Sequence, residues 1–520
     1  MPIEFSSFPN SWRLPLWWAE IDPSKAGTGV INLSALLVGQ MASGSTALPN
    51  VPVSPGDPET AIAWFGAGSM LADMFETFFA NNTAQELWCL PVSDPSGVAA
   101  TGTIHVTSPP SQAGTLTLYI AGQQVPVLVG ASDTELTVAG NIVTAINAMT
   151  SLPVTAALGG TGAQVVDITC KWIGATGNDI SMGDTLGGAQ AAQARPVGLT
   201  LAYSGTLASN LAPPNFGFLS GGTGVPSFTS AIANLGDSLY EYVALPYTDS
   251  TSLLAWQTEY GFTSSGRWGW LRQQYGQIYS AYRGQYSSIL SWGQTQNGPQ
   301  TTVMDVEPAV PSTVWEVATA YCAEAAIAFS NDPARPLQTL QLYGVLPAPR
   351  SYRFPLTELN VLASNGIATQ TVGPNGLMEI LRETTTYQLN LYGVPDTAYT
   401  DMTTLATLSK LLRNQRQAIT TKFPRYKLAD DGTLFGPGQA IVTPSIIRAE
   451  LVSEYAQDEF NGLVEDARVF AKNLIVERDS TNQNRVNVLY PPNLIGQLRI
   501  FAVLAQFRLL GAQQTTQPQS

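Results

Sequence analysis

A single histidine, His105, serves a chain of 520 residues. A Ser-His-Asp triad, a Cys-His dyad or a zinc site must therefore use His105 or do without histidine. Cysteine is nearly as scarce. Cys89, Cys170 and Cys322 are odd in number and far apart, which leaves no disulfide framework and no CxxC metal site. They read as reduced, buried small residues of a protein made in the cytoplasm. No lysine follows a glycine, so there is no P-loop GK[ST]. Charged residues are only 12% of the chain, about half the ~25% of an ordinary soluble protein. The net charge of −14 argues against nucleic acid as the main partner, because neutralising phosphates needs clustered cations. No run approaches the roughly 18 uninterrupted apolar residues of a membrane span. The start, MPIEFSSFPNSWRLPLWW, lacks the basic and apolar regions of a signal peptide. Neither membrane insertion nor secretion is expected.

The chain does have apolar residues, at 44% too many for disorder. High apolarity with little charge suits a protein that hides surface against other chains. The length suggests about three or four domains at roughly 150 residues each. Charge is also uneven. Between residues 26 and 266 the only cations are Lys171 and Arg195, against fifteen acids, whereas 361–520 is neutral. The pattern predicts an acidic solvent-facing part and a neutral part that meets partners.

Residues 1–25 are broken by Pro2, Pro9 and Pro15, yet carry Trp12, Leu14, Leu16, Trp17 and Trp18. They form either a first strand of their own domain or an arm that docks on a neighbouring subunit. Residues 27–95 read as strand (30–39), helix (69–82) and strand (86–92), the signature of a parallel sheet. Residues 98–225 differ: short strands bounded by Gly, Pro and Ser surround one helix at 132–149. Linker-like stretches at 91–97 and 212–226 flank them. From 226 the α/β pattern resumes, with a long apolar helix at 312–330. Further on, GLMEIL and TTTYQLN read as a strand pair, and helices are expected at 401–422 and near 444–472. The run LIGQLRIFAVLAQFRLL (494–510) is apolar on both faces, as a covered central strand would be. A polar tail, expected to be disordered, follows.

Many segments from 226 onward, in order, carry a resemblance. LGDSLYEYVALPYTD (235–249), SNDPARPLQTLQLYGVLPAP (330–349), ETTTYQLNLYGVPDTAYTD (383–401), KFPRYKLADDGTLFGPGQAIVTP (422–444) and VERDSTNQNRVNVLYPPNLIGQLRIFAVLAQFRL (476–509) are similar to tail sheath proteins of contractile-tailed phages, of the Mu-like type. FSSFPNSWRLPL (5–16) and FGAGSMLADM (65–74) resemble that family too. The likeness spans nearly the whole chain and is weakest over 98–225.

The resemblance implies a mixed α/β (α+β), multi-domain chain: a subtilisin-like α/β sheath core, an inserted mostly-β domain, a C-terminal α+β domain and extended terminal arms. On this chain the parts are an N-terminal arm (1–25) and a discontinuous core (26–97 with 226–355). An inserted outer domain (98–225), a C-terminal domain (356–489), a C-terminal strand or arm (490–510) and a tail (511–520) complete it. The implied function is structural, not enzymatic. Hexameric rings of the chain would stack helically around a tail tube protein, bounded by a baseplate and a tail terminator. Arms would add strands to neighbours' sheets, and contraction would drive the tube through the host envelope. No cofactor is implied. The implied location is the virion tail, assembled in the host cytoplasm. Two rival readings remain: the sheath of a headless contractile injection device, and a hydrolase on a subtilisin-like scaffold. The second must work with His105 in the wrong region.

Two sets of residues are singled out for partner contact. Trp12, Leu14, Leu16, Trp17 and Trp18 at one end, and Leu498, Ile500, Phe501, Val503 and Phe507 at the other, are arm candidates. Lys410, Arg413, Arg416, Lys422, Arg425 and Lys427 form the densest basic cluster, with no acid between Asp401 and Asp430. They make either a solvated helix face or a surface that meets an acidic tube or a neighbouring subunit. FGAGSM reads as a tight turn with Ser69 as N-cap rather than an anion loop.

Overall fold

The computed structural model describes residues 33–159, 164–185 and 195–507. Trp12, Leu14, Leu16, Trp17 and Trp18 lie outside the described residues.

Five parallel strands make the central sheet: β1 (Ser34–Gln40), β2 (Glu86–Val92), β3 (Tyr242–Ala244), β4 (Gln277–Arg283) and β5 (Thr301–Val306). Their order is β5-β4-β3-β1-β2, with Ala35 opposite both Tyr242 and Leu87. Strands covered on both faces read as continuous apolar runs, and every residue of β1 is buried. The order 2-1-3-4-5 is that of flavodoxin-like doubly wound sheets, so it adds nothing to the subtilisin-like label.

Helix α1 (Met70–Asn81) lies where the apolar spacing put it. Its N-cap is Ser69, whose hydroxyl accepts from Ala72 N at 3.1 Å. Gly68 takes a left-handed φ of 70° in the preceding turn, and a Cβ there would collide with the Leu152 carbonyl. Helix α2 (Ser250–Glu259) follows β3. Helix α3 (Val314–Asn331) starts with a capping box between Thr313 and Glu316 and packs against α1 and β4.

Residues 98–225 hold two four-stranded antiparallel sheets and the helix Glu135–Ala148. This segment is not loosely tethered, contrary to the linker-like flanks. Trp172 meets Trp315 edge to face at 5.5 Å, and the Lys171 ammonium donates to Ala67 O at 2.8 Å.

Beyond β5, strands β6 (Thr369–Val372) and β7 (Met378–Arg382) pair with each other. The expected partner of GLMEIL was TTTYQLN. Thr384–Thr386 instead lie against the edge of the main sheet, where Thr385 bridges Thr302 and the Thr302 hydroxyl donates to Thr384 O at 2.7 Å. Helix α4 (Met402–Lys422) buries its first half on the body. The single helix expected near 444–472 is two. Helix α5 (Pro444–Phe460) stops at Asn461 and Gly462, the latter at φ 74°, and α6 (Ala467–Asn473) follows. A hairpin of β8 (Ile475–Arg478) and β9 (Val486–Leu489) closes the body. The covered strand expected from 494 is absent: 495–507 contain no strand, and 500–507 are exposed throughout. No helix among the described residues is long and apolar enough to cross a membrane.

Candidate assembly surfaces

Open α/β sheets bind ligands beyond the C-terminal ends of their strands, where the strand order reverses. Here that point lies between β1 and β3, and the chain itself fills it. Gln40, fully buried at the end of β1, donates to Ile173 O at 2.6 Å and to Asp94 Oδ1 at 2.9 Å. Arg283, at the end of β4, holds Asp179 (Nε to Oδ1, 2.5 Å) and donates to Val310 O at 2.6 Å. The other Asp179 oxygen accepts from Val314 N at the start of α3, at 2.6 Å, which suits the positive end of the helix. A cleft of about 420 Å³ remains, with Thr176, Asp179, Asp249 and Arg283 in its lining. Asp249 caps α2, accepting from Ser252 N at 2.9 Å. His105 sits in an antiparallel strand of the inserted segment, opposite Val165 and Ala202. Arg283 and Asp179 are thus spent on docking the inserted segment, and Asp249 on its helix cap.

The basic cluster divides. Lys410, Arg416, Lys422, Arg425 and Lys427 are exposed. Lys422 pairs with Glu450, and the Lys427 ammonium reaches Gln439 Oε1 at 3.0 Å. Arg413 is a correction to the outward-facing set. Its guanidinium turns inward to Glu241 and lies over the Tyr275 ring, 5.5 Å from its centroid. The side chains of Arg413 and Glu241 are 13% and 5% exposed. The cause is Glu241, an acid at the head of a buried strand, which needs a cation once removed from water. Ser409 Oγ adds a hydrogen bond to Glu241 Oε1 at 3.2 Å. A lone acid in the otherwise apolar run LYEYVALPY was the available signal.

The C-terminal set is almost wholly uncovered. Leu498, Ile500, Val503 and Leu504 are exposed, as are Phe501 (83%) and Phe507 (82%). Just upstream, Ile495 N donates to Leu463 O at 3.2 Å and Gln497 Nε2 to Ala334 O at 3.0 Å. Arg499 pairs with Glu383. Residues 500–507 make no hydrogen bond or ion pair with any described residue. Among the described residues the β8–β9 sheet has two strands, and it exposes Ile475, Val488 and Leu489. A groove between α4, α5 and β9 runs beside it, with Leu412, Ile419, Leu451 and Val488 in its walls. Sequence reasoning missed the Arg499 anchor, although a single cation inside LIGQLRIF could have flagged it.

An exposed apolar segment at 500–507, a two-stranded hairpin with bare apolar residues, and a crevice whose charged groups are taken up by the chain's own contacts suit a structural protein. Comparison with known proteins gives the family. The phage tail sheath protein central domain matches residues 221–386, and the phage tail sheath C-terminal domain matches 394–508. The Mu-like prophage FluMu tail sheath protein of Haemophilus influenzae is 37% identical over 514 residues, 98% of this chain and 100% of that one. The chain belongs to the phage tail sheath family, whose members are structural components of contractile tails. Among solved structures, a sheath tail protein of Desulfitobacterium hafniense aligns with TM-score 0.44 and 10% identity, covering 93% of this chain and 100% of that one. One of Listeria innocua gives 0.43 and 9%, covering 91% and 94%.

Proposed function

We propose that the chain is the repeating subunit of a sheath around a tail tube, and that its terminal segments are strands donated to neighbouring copies. Hexameric rings would stack helically between a baseplate and a tail terminator, assembled in the host cytoplasm, and contraction would drive the tube through the envelope. One observation carries the reading: residues 500–507 leave the body as an apolar segment with no bonded partner among the described residues. Main-chain groups and alternate side chains of such a segment are what strand addition uses.

The magnitudes favour a lattice over isolated pairs. Burying the five large side chains of 500–507 returns roughly 8–15 kcal/mol. Ordering eight residues costs roughly 8–16 kcal/mol. A single arm therefore docks with little net gain, and many arms held at high effective concentration hold together. Electron microscopy of the purified full chain should show long hollow cylinders; monodisperse monomers at every concentration and on added tube would reject the reading. Removing residues 1–22 should leave a soluble monomer with near-native circular dichroism that forms no cylinders. Outright misfolding would assign that segment to its own core.

Two placements belong to the same reading. The exposed cations Lys410, Arg416, Lys422, Arg425 and Lys427 would meet the tube or an adjacent copy. Reversing Arg416 and Arg425 should then weaken assembly most at low salt, where such contacts are least screened. Unchanged assembly across a salt series would return them to a solvated face. The acidic 98–225 segment would lie at the outer radius. An epitope inserted at the exposed residues 208–210 should remain accessible on cylinders, and loss of access would place the segment inside.

A further inference from the structure

We infer that Arg499 is the fixed root of the donated C-terminal strand, so that chain up to 499 belongs to the body and chain from 500 onward belongs to the neighbour. This rests on the strand-donation reading and adds where the donated part begins and what holds it. Arg499 grips Glu383 with both terminal nitrogens, Nη1 lying 2.9 Å from Oε2. The Glu383 carboxylate is 0% exposed and the Arg499 side chain 13%. A second acid, Asp401, lies 3.8 Å from Arg499 Nη2 and is itself held by Arg382 at 3.1 and 3.2 Å.

The knot reaches into three parts of the body. Arg382 ends β7. The Glu383 carbonyl accepts from Met402 N at 3.2 Å, at the first turn of α4. Thr384, next in the chain, accepts from Thr302 of β5 at 2.7 Å. Planar two-point pairing of guanidinium and carboxylate fixes direction as well as distance. Pulling Arg499 away from Glu383 would strand a buried carboxylate, so the body resists it. Upstream, Gln338 Nε2 and the Leu498 carbonyl meet at 3.4 Å, and Gln497 is tied to Ala334. Downstream, residues 500–507 make no hydrogen bond or ion pair with any described residue. The break between held and free chain therefore falls at one residue. Tension on the donated strand enters the body at Glu383 and passes to the central sheet through β5 and to the basic helix α4, instead of peeling the chain back toward Tyr490.

The test uses the full chain. Losing one partner alone leaves a buried charge and can unfold the body, so the main variant is Glu383→Gln/Arg499→Gln, and a second exchanges the charges as Glu383→Arg/Arg499→Glu. Hydrogen exchange is followed by mass spectrometry on the monomer, and cylinders are counted by electron microscopy. In the double-glutamine variant, amides of 494–499 should exchange at least about tenfold faster while the central sheet keeps its protection, and cylinder yield should fall. The charge exchange should restore both in part, which loss of a merely structural contact would not produce. Unchanged exchange at 494–499 together with unchanged cylinder yield would overturn the inference. Deletion of 500–507 separates the two readings: cylinders from the deleted chain would refute strand donation itself, whatever Arg499 does. Cylinders lost on that deletion but kept in the double-glutamine variant would refute only the root.

Discussion

Two stretches of this chain share one pattern and have opposite fates. SALLVGQ (34–40) and IFAVLAQF (500–507) are both short, uncharged and apolar on both faces. The first is buried at every position between two parallel neighbours, and the second is exposed at every position. What differs is the supply of a sheet. Strand β1 finds β2 and β3 within its own chain, whereas 500–507 has no partner among the described residues. An apolar two-faced run therefore reports that a sheet is needed, not which molecule provides it.

The contrast is sharpest under charge insertion. Leu36→Asp buries an unpaired carboxylate between covered strands and should cost more than about 4 kcal/mol, with loss of soluble folded protein. Phe501→Asp changes an exposed side chain. Monomer stability should move by no more than about 0.5 kcal/mol in thermal unfolding, while cylinders are lost. A destabilised monomer would mean that the segment packs on its own body.

The basic cluster divides the same way on a smaller scale. Arg413→Ala abandons Glu241 inside the protein and should cost roughly 3–5 kcal/mol. Lys410→Ala, on an exposed position one turn earlier, should cost less than about 1 kcal/mol. Equal effects would contradict the inward assignment of Arg413.

Dependence on pH should belong to the body alone, because 500–507 has no titratable side chain. Burial pushes the Asp73 carboxyl up to about 6, against the opposing hydrogen bond from Trp315 Nε1 at 2.6 Å, and the nearby Glu76 carboxylate adds a smaller rise. Burial raises Glu316 as well, and Asp73 reinforces it. The folded state thus keeps a proton on Asp73 that the unfolded chain has already released. That stability is full below about pH 4 and lost as pH rises through about 6. Asp73→Asn keeps an acceptor for Trp315 and should stabilise the body by about 1–3 kcal/mol at pH 8, with the gain vanishing at pH 4. A gain that does not depend on pH would point to packing instead.

How legible the chain was follows from where each signal is local. The helix at 70–81 and its Ser69 cap, the long helix from 314 and the strands at 86–92 and 277–283 follow from apolar spacing and caps over a few residues. Strand β5 was hidden, because Thr301, Thr302 and Asp305 interrupt a fully buried run, and the bonds of Thr302 to Thr384 O and of Asp305 to Gln370 N come from residues distant in sequence. Pairing choices were hidden for the same reason: Thr384–Thr386 look like a hairpin strand until the sheet edge at Thr302 and Gly298 claims them. The arm candidates at 498–507 were visible as apolar excess, but their anchor at Arg499 depends on Glu383, more than a hundred residues away.

The central claim is that one stretch finishes its sheet inside the molecule and the other finishes it in a neighbour. Hydrogen exchange of the amides of 500–507, compared between the monomer and assembled cylinders of the unmodified chain, tests it most directly. The account predicts near-free exchange in the monomer and protection of about a hundredfold or more in the cylinder, with β1 protected in both. Exchange of 500–507 that stays fast in the cylinder, or is already slow in the monomer, would contradict it.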